Sequence, residues 1–226
     1  MASTETLPLP PAAVLFDFDG TLCDSEPGIV SHLRDALVTT GLPVPSEELL
    51  RSCVGPPWES GGLAHVGVPV ERNDEVVAAY RATYNDAAPT LTPPFPGISE
   101  ALDALVDSGI VLAVATSKPQ TLIDSIMARS PLADRLGVVV GADVGVGRRT
   151  KADVVGHTLG LLSRQADPDK IVMVGDRSFD VLGAAAHGLS TIGVRWGAAP
   201  PGELEEAGAA AVVETPDALV DLLLAR

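Results

Sequence analysis

Residues 12–24 read AAVLFDFDGTLCD, and this stretch decides the fold class that the rest of the chain has to fit. Its first five residues form an apolar run that is too short for a helix, and acidic residues and a glycine follow directly. Such a run is typical of a strand that is buried on both faces, as strands of parallel sheets are. Asp17 and Asp19 stand two positions apart at its end, so both side chains can project to the same side.

Similar short apolar runs recur along the chain, and segments with helical periodicity separate them. The further runs cover 110–115, 138–140, 171–174, 191–194 and 211–213. The helical faces comprise Ile98, Leu102, Leu105 and Val106, then Val154, Thr158, Leu161 and Leu162, and a last helix over 216–225. Strands that alternate with amphipathic helices predict an α/β fold with a Rossmann-like, mostly parallel sheet and helices on both faces.

The segment between the first strand and residue 96 breaks this rhythm. Its amphipathic stretches, near 27–40, 46–53 and 71–87, have helical spacing, and no convincing strand lies among them. This pattern predicts a small helical domain inserted after the first strand. The expected division is a flexible tail over 1–11, an α/β core over 12–23 and 94–226, and a helical cap over 24–93.

Composition narrows the classes of partner. The 226 residues are 46% hydrophobic, which predicts a sizeable core, and carry a formal net charge of −15. An acidic surface repels nucleic acid and anionic lipid, since both need a cationic face to displace their counterions. The N-terminus has neither a basic start nor an apolar run, and no stretch approaches the roughly 20 apolar residues of a membrane span. We therefore expect a cytoplasmic protein that binds neither nucleic acid polymers nor membranes.

Polar residues with matching chemistry follow the predicted strands. Thr116 and Ser117 follow the second strand, where a hydroxyl and free N–H groups at a helix start suit a phosphate oxygen. Asp176 and Asp180 follow the fourth strand, and Lys151 opens the helix before it. Each feature alone has an ordinary explanation, such as a helix cap or a solvated lysine. Because the carboxyl ends of parallel strands meet at one edge, their combination predicts one site there.

This combination has a precedent. The segments LFDFDGTLCDS, VATSKP, Lys151-Ala152-Asp153 and VGDRSFD resemble, in order and spacing, the four motifs of the haloacid dehalogenase-like superfamily. The resemblance covers nearly the whole chain, and the helical insert resembles that family's small C1-type cap. Within that superfamily, the chain is similar to the branch of phosphoglycolate phosphatases and bacterial 5′-nucleotidases. This similarity rests on Gly55-Pro56-Pro57 and Gly175-Asp176-Arg177.

The resemblance implies roles for the acidic residues. Asp17 would attack phosphorus and become an aspartyl phosphate, while Asp19 would protonate the leaving alcohol and then take a proton from water. Mg²⁺, which hard carboxylate oxygens favour in any case, would be held by Asp17, the backbone carbonyl of Asp19 and Asp176. Asp180 would order the surroundings of the metal.

The resemblance also implies which residues hold the substrate. Thr116, Ser117 and Lys151 would bind the transferring phosphoryl group. Gly55 and Arg81 in the cap are candidate substrate contacts.

For several other residues we expect no catalytic or binding role. Cys23 is expected to pack, Trp58 to anchor the cap and Lys118 to be solvated at a helix start. His32, His65, His157 and His187 do not cluster in the sequence and are not expected to bind metal.

The function expected from these residues is hydrolysis of a small phosphate monoester, of the phosphoglycolate or nucleotide type, by a Mg²⁺-dependent phosphatase. The partner would then be a small phosphorylated metabolite. Two alternatives stay open at this point. A phosphotransferase or mutase, or a protein-directed phosphoryl transfer, would use the same nucleophile with another acceptor. A non-catalytic phosphate-binding protein is disfavoured because all the motif carboxylates are present.

Overall fold

A six-stranded parallel sheet forms the centre of the molecule. The computed structural model describes residues 7–55, 58 and 61–225. The strands are β1 (Ala13–Phe16), β2 (Val111–Pro119), β3 (Val138–Ala142), β4 (Ile171–Gly175), β5 (Thr191–Val194) and β6 (Ala211–Val213). Their order is β3-β2-β1-β4-β5-β6, and every neighbouring pair is parallel. The predicted α/β fold is confirmed, and each of the six predicted runs forms a strand.

Helices connect the strands and cover the sheet. In chain order they are α1 (Glu26–Thr39), α2 (Glu47–Arg51), α3 (Asn73–Leu91), α4 (Ile98–Asp107), α5 (Gln120–Met127), α6 (Lys151–Leu162), α7 (Ser178–Ala185), α8 (Glu203–Ala207) and α9 (Pro216–Leu223). The strand order reverses between β1 and β4, and open α/β sheets bind ligands outside the carboxyl ends of the strands at such a point.

The alternation of β1 divides its side chains between two hydrophobic cores. Val14 and Phe16 join the core formed with α4, α5, α9 and the inserted helices. Ala13 and Leu15 join the core formed with α6 and α7. Both faces of the strand are buried, so polar residues cannot alternate with apolar ones along it. The sequence of the strand is accordingly an uninterrupted apolar run.

Two positions on the predicted helical faces are solvent-exposed. Val106 of α4 is 43% exposed and Leu161 of α6 is 49% exposed. In α4 the buried residues are Ile98, Ala101, Leu102 and Leu105, which lie on one face of the helix. These residues cover the sheet without Val106. The apolar faces predicted for the two helices were therefore wider than the faces that are buried.

The inserted helices α1, α2 and α3 all precede the second strand. Among the described residues of 24–93, called the insert below, no strand occurs. Its two connections to the sheet run side by side, since Asp24 N donates to Pro93 O at 2.9 Å and Phe95 N donates to Leu22 O at 3.0 Å. The insert therefore leaves and re-enters the α/β part at one place, directly after β1.

The first residues that the structure describes lie against the core. Leu7 and Leu9 pack, partly buried, on the core that contains Val14. Of the tail predicted for 1–11, residues 1–6 lie outside the described part of the chain. Within the described residues, no helix combines the length and apolar character that a membrane crossing requires.

Candidate active site

The first strand delivers two aspartates to the carboxyl edge of the sheet. Asp17 N donates to Val174 O at 2.9 Å, which extends the pairing of β1 with β4 by one residue. The chain then turns at Gly20, whose φ of +81° suits glycine. A Cβ at Gly20 would lie 2.3 Å from Asp176 Oδ2, so the turn also brings the backbone close to that carboxylate.

Three carboxylates form one buried cluster at this edge. Asp17, Asp176 and Asp180 each offer an oxygen, and these oxygens lie within 4.8 Å of one another. All three residues are at most 5% exposed. Two of the residues predicted as metal ligands, Asp17 and Asp176, thus meet Asp180 of α7 at the ends of β1 and β4.

Lys151 lies against this cluster. Its Nζ donates to Asp17 Oδ1 at 2.7 Å and to Ala115 O at 2.8 Å. Asp180 Oδ1 also lies 2.7 Å from Nζ. The lysine opens α6, and the capping box of Thr150 and Asp153 fixes where that helix begins.

The electrostatics of the cluster show a deficit of positive charge. Burial raises the pKa of Asp17 to about 6, although Lys151 opposes the rise. Burial, together with repulsion from Asp180 and Asp17, raises the pKa of Asp176 to about 8. Burial works against protonation of Lys151, but Asp17 and Asp180 outweigh it and raise its pKa. One ammonium cannot neutralise three buried carboxyl groups in their ionised form, so the donor set fits a hard divalent cation such as Mg²⁺.

A small cradle, which the sequence did not reveal, holds Asp176. Thr21 Oγ1 donates to its Oδ1 at 3.0 Å, and Ala198 N donates to its Oδ2 at 2.8 Å. A Cβ at Gly197 would lie 2.3 Å from Asp176 Cβ. The loop after β5 therefore positions a predicted metal ligand, and no local motif in that loop signals it.

Thr116 and Ser117 lie in the strand and not at a helix start. The strand β2 continues to Pro119, which pairs with Ala142 of β3 beyond an irregularity in the ladder. The prediction of a helix N-terminus at Thr116 is therefore wrong, because the sheet extends further than its apolar run. Both residues still line the cavity beside Asp17.

Lys118 is buried, which contradicts its expected solvation. Its side chain is 4% exposed, and Nζ lies 2.8 and 2.9 Å from the two carboxylate oxygens of Asp19. The Tyr84 hydroxyl, from α3 of the insert, lies 3.5 Å from the same Nζ. The ammonium is desolvated because the insert covers the end of β2.

The site opens into a cavity of about 850 Å³ between the insert and the strand ends. On the insert side, the cavity is lined by Trp58, Tyr80, Arg81 and Tyr84. Trp58 Nε1 donates to Cys53 O at 2.7 Å, and its ring contacts Tyr80 edge to face at 4.5 Å between centroids. Trp58 thus anchors the insert, as expected, and is also part of the cavity wall.

The opposite wall comes from the loop between β3 and α6. Asp143, Val144, Gly145 and Arg149 line the cavity there. No motif in this loop indicates that it lines a site, so the sequence did not predict this wall.

Gly55 lines the cavity and contacts the α/β part. A Cβ there would lie 3.3 Å from Arg177 Cγ, and Arg177 Nη1 donates to Val54 O at 2.5 Å. Glu203 holds the same guanidinium, with Oε1 at 2.9 Å from Nε. The neighbouring Pro56 and Pro57 lie outside the described residues.

The cysteines fill structural positions. Cys23 and Cys53 are buried, and burial raises the pKa of both thiols. Among the described residues, the acidic group that could hold a metal contains no histidine.

Comparison with known proteins places this geometry in a family. A family model described as haloacid dehalogenase-like hydrolase matches residues 14–194. The chain belongs to the haloacid dehalogenase-like hydrolase family. The matched range includes the four segments around Asp17, Thr116, Lys151 and Asp176.

The similar proteins carry several activities in their names. A tyrosine-protein kinase PtkA from Mycobacterium tuberculosis is 42% identical over 187 residues, which are 83% of this chain and 63% of that protein. A phosphoglycolate phosphatase from Cupriavidus necator is 34% identical over 96% of this chain and 95% of its own. Among solved structures, one described as a predicted phosphatase from Clostridium acetobutylicum superposes with a TM-score of 0.87 at 31% identity, over 98% of this chain and 100% of that one. The match thus spans less than two thirds of the mycobacterial kinase.

Proposed function

We propose that this protein is a phosphatase that hydrolyses a phosphate monoester through an aspartyl phosphate on Asp17. The observation that carries the proposal is the buried cluster of Asp17, Asp176, Asp180 and Lys151 at the mouth of a cavity of about 850 Å³. Phosphoryl transfer depends mainly on positioning and on neutralising charge. The cluster supplies a nucleophile and part of that neutralisation.

In the first step, Asp17 forms a bond to phosphorus as the ester P–O bond breaks. Lys151 holds Asp17 Oδ1 at 2.7 Å, and none of the described residues donates a hydrogen bond to Oδ2. Oδ2 is therefore the oxygen available for attack. Asp19 delivers a proton to the leaving alkoxide, which departs as the alcohol.

In the second step, water attacks phosphorus and the acyl phosphate bond breaks. Asp19, now ionised, accepts a proton from the water, and inorganic phosphate leaves. Asp17 is regenerated as the carboxylate. Thr116 and Ser117 line the cavity and would hold the phosphoryl oxygens through both steps.

Mg²⁺ would be held by Asp17 and Asp176, with the backbone carbonyl of Asp19 as a third ligand. When bound, the ion neutralises the charge on the phosphoryl oxygens and completes the balance that Lys151 begins. Asp180 would act on the site indirectly, since Lys151 and the backbone N–H of Arg177 already engage it.

The size of the cavity supports a small-molecule ester. Its volume of about 850 Å³ lies within the range of roughly 300–1,000 Å³ that suits compact organic ligands. The aromatic wall of Trp58 and Tyr80 favours a substrate with a ring, such as a nucleotide, over a two-carbon acid such as phosphoglycolate.

The test is phosphate release from a panel of esters with Mg²⁺ and with EDTA. The panel contains phosphoglycolate, nucleoside monophosphates, sugar phosphates and a phosphotyrosine peptide. We expect Mg²⁺-dependent release with a preference for one ester class. Absence of release from every ester, from a folded and Mg²⁺-loaded protein, would contradict the proposal.

The relative named as a tyrosine kinase supports a second candidate function. A protein hydroxyl could accept the phosphoryl group of Asp17 in place of water, or a phosphotyrosine side chain could donate it. A nucleoside triphosphate labelled in its γ-phosphate, incubated with the protein and a tyrosine peptide, distinguishes the cases. Label on the peptide supports the transferase, whereas label found only as free phosphate supports hydrolysis.

A further inference from the structure

The chain contains three lysines, Lys118, Lys151 and Lys170, and two of them are buried beside the aspartates of the first motif. Lys151 contacts Asp17, the proposed nucleophile. Lys118 contacts Asp19, the proposed acid and base, through both carboxylate oxygens. In a chain this acidic, burial of two of its three ammonium groups at one site is a large desolvation cost. The contact of Lys118 therefore calls for an explanation at the site.

The insert defines the position of the Lys118 ammonium. Nζ lies 3.5 Å from the Tyr84 hydroxyl and 5.3 Å from the centroid of its ring. The Tyr84 ring stacks on Tyr80 at 4.8 Å, and His32 contacts its edge at 5.5 Å. Tyr84 is fully buried, so its hydroxyl has little freedom to move.

We propose that Lys118 is a positioning residue for Asp19, and that it aims the carboxyl group of Asp19 at the leaving-group oxygen. The inference rests on the proposed phosphatase function. Both Asp19 oxygens contact Nζ, and the Asp19 side chain is only 12% exposed, so its orientation follows that of the ammonium. When substrate enters, one oxygen stays on Nζ while the other turns to the leaving oxygen. Proton transfer is effective only with the donor in hydrogen-bond reach, so the lysine acts through Asp19.

Leaving-group dependence separates this role from direct phosphate binding. A poor leaving group, such as an alkoxide, needs the proton of Asp19, whereas p-nitrophenolate leaves as a stable anion. In Lys118→Met we expect kcat/KM to fall about 100-fold or more with an alkyl phosphate, within the range that general acids contribute. With p-nitrophenyl phosphate we expect a loss at least about 10-fold smaller. Equal losses with both esters would overturn the proposal, because a lysine that binds the phosphoryl group serves both alike.

Asp19→Asn supplies the reference for this comparison. It should show the same selective loss with the alkyl ester, because it removes the acid itself. The double variant Asp19→Asn/Lys118→Met should lose little beyond Asp19→Asn, since the two residues act as one unit. Independent, multiplicative losses would also count against the proposal.

The matched control is Lys170→Met. Lys170 is exposed and precedes β4, at the opposite end of the sheet from the site. Its removal should leave both kcat/KM values unchanged. If Lys118→Met does not fold, Lys118→Gln is measured in the same way, because it keeps a hydrogen-bond donor and removes the charge.

Tyr84→Phe tests the contribution of the insert. The variant keeps the ring and removes the hydroxyl at 3.5 Å from Nζ. We expect a loss in the same direction as for Lys118→Met, about 2-fold to 10-fold, the size of one hydrogen bond. An alkyl-ester loss no larger than the aryl-ester loss would exclude the insert from the positioning. Wild-type protein that cleaves neither ester would instead contradict the proposed function itself.

Discussion

The two buried lysines differ in what surrounds them. Lys151 contacts Asp17 directly after β1, Ala115 of β2 and Asp180 of α7, all of them parts of the α/β core. Lys118 lies between Asp19 of the core and Tyr84 of the insert. The attacking side of the site is thus built by the α/β core alone, whereas the leaving-group side also depends on the insert. We infer that changes in the insert alter which ester is cleaved more than how phosphorus is attacked.

The largest effect is expected from removal of the proposed nucleophile, which lies on the Lys151 side of the site. Asp17→Asn should lower kcat by about 10⁴-fold or more with every ester, since no other described carboxylate has the same position on Lys151. The measurement is steady-state phosphate release with an alkyl and an aryl ester. Asp103→Asn, which changes an exposed carboxylate paired with Arg135, is the control and should be fully active. Comparable activity in Asp17→Asn would rule out the aspartyl phosphate.

Gly197→Ala tests the cradle of the same side without changing a charge. The new Cβ would lie 2.3 Å from Asp176 Cβ, so it should displace the carboxylate and weaken Mg²⁺ binding by about 10-fold to 100-fold, as loss of groups that orient metal ligands does. Mg²⁺ titrations of activity and of Tm report this effect. Gly160→Ala, where no atom lies within 4 Å of the new Cβ, should leave the Mg²⁺ dependence as it is. Identical Mg²⁺ titrations for the two variants would refute the cradle.

Trp58→Ala tests the insert side of the comparison. Loss of the ring that contacts Tyr80 should raise KM about 2-fold to 10-fold for esters with an aromatic leaving group, the size of one ring contact. Alkyl esters should be affected less. The control is Val38→Ala, which truncates an exposed side chain of α1. An equal rise of KM for both classes of ester would show that the wall does not select the substrate.

The smallest expected effect concerns the stability of metal-free protein. The pKa values of Asp17 and Asp176 are raised in the folded state from the ordinary 3.8 to about 6 and about 8. Folded protein then binds more protons than unfolded protein, so this contribution to stability is complete below about pH 4 and is lost as the pH rises through 6 and 8. With EDTA, Tm should fall by a few degrees between pH 5 and pH 9. Addition of Mg²⁺ should raise Tm by more at pH 9 than at pH 5.

Asp176→Asn sharpens this measurement. Without the Asp176 carboxyl, the Tm of metal-free protein should depend less on pH between 6 and 9. Addition of Mg²⁺ should also raise Tm by less than it does in the wild type. Asp103→Asn should keep the wild-type slope, because its carboxylate is ionised throughout this range. An unchanged slope in Asp176→Asn would show that the acidic cluster does not limit stability.

Much of the site could be predicted because its parts stand next to strong local signals. Asp17, Lys151 and Asp176 each adjoin an apolar run or a helix start, and the parallel sheet brings such positions to one edge. Lys118 could not be placed in the same way. Whether a lysine is solvated depends on what covers it, and its cover, Tyr84, lies 34 residues away in the chain.

Two other features escaped prediction for related reasons. The strand β2 runs on through Thr116 because Pro119 pairs with β3, and pairing is a property of the sheet and not of a single run. Gly197 and the Ala198 N–H gain their role only where the loop after β5 meets Asp176. No local pattern marks such an approach.

The sequence alone predicts the α/β class, the six strands, the helices between the first and second strands and the carboxylates at the strand ends. It could do so because burial on both faces of a strand and the caps of a helix leave patterns within about ten residues. How these groups pair depends on tertiary packing: Lys151 pairs with Asp17, Lys118 with Asp19 and Tyr84, and Asp176 with the loop after β5. Hydrogen bonds and desolvation depend on distances between groups that are far apart in the chain. Those distances exist only once the sheet and the insert have packed together.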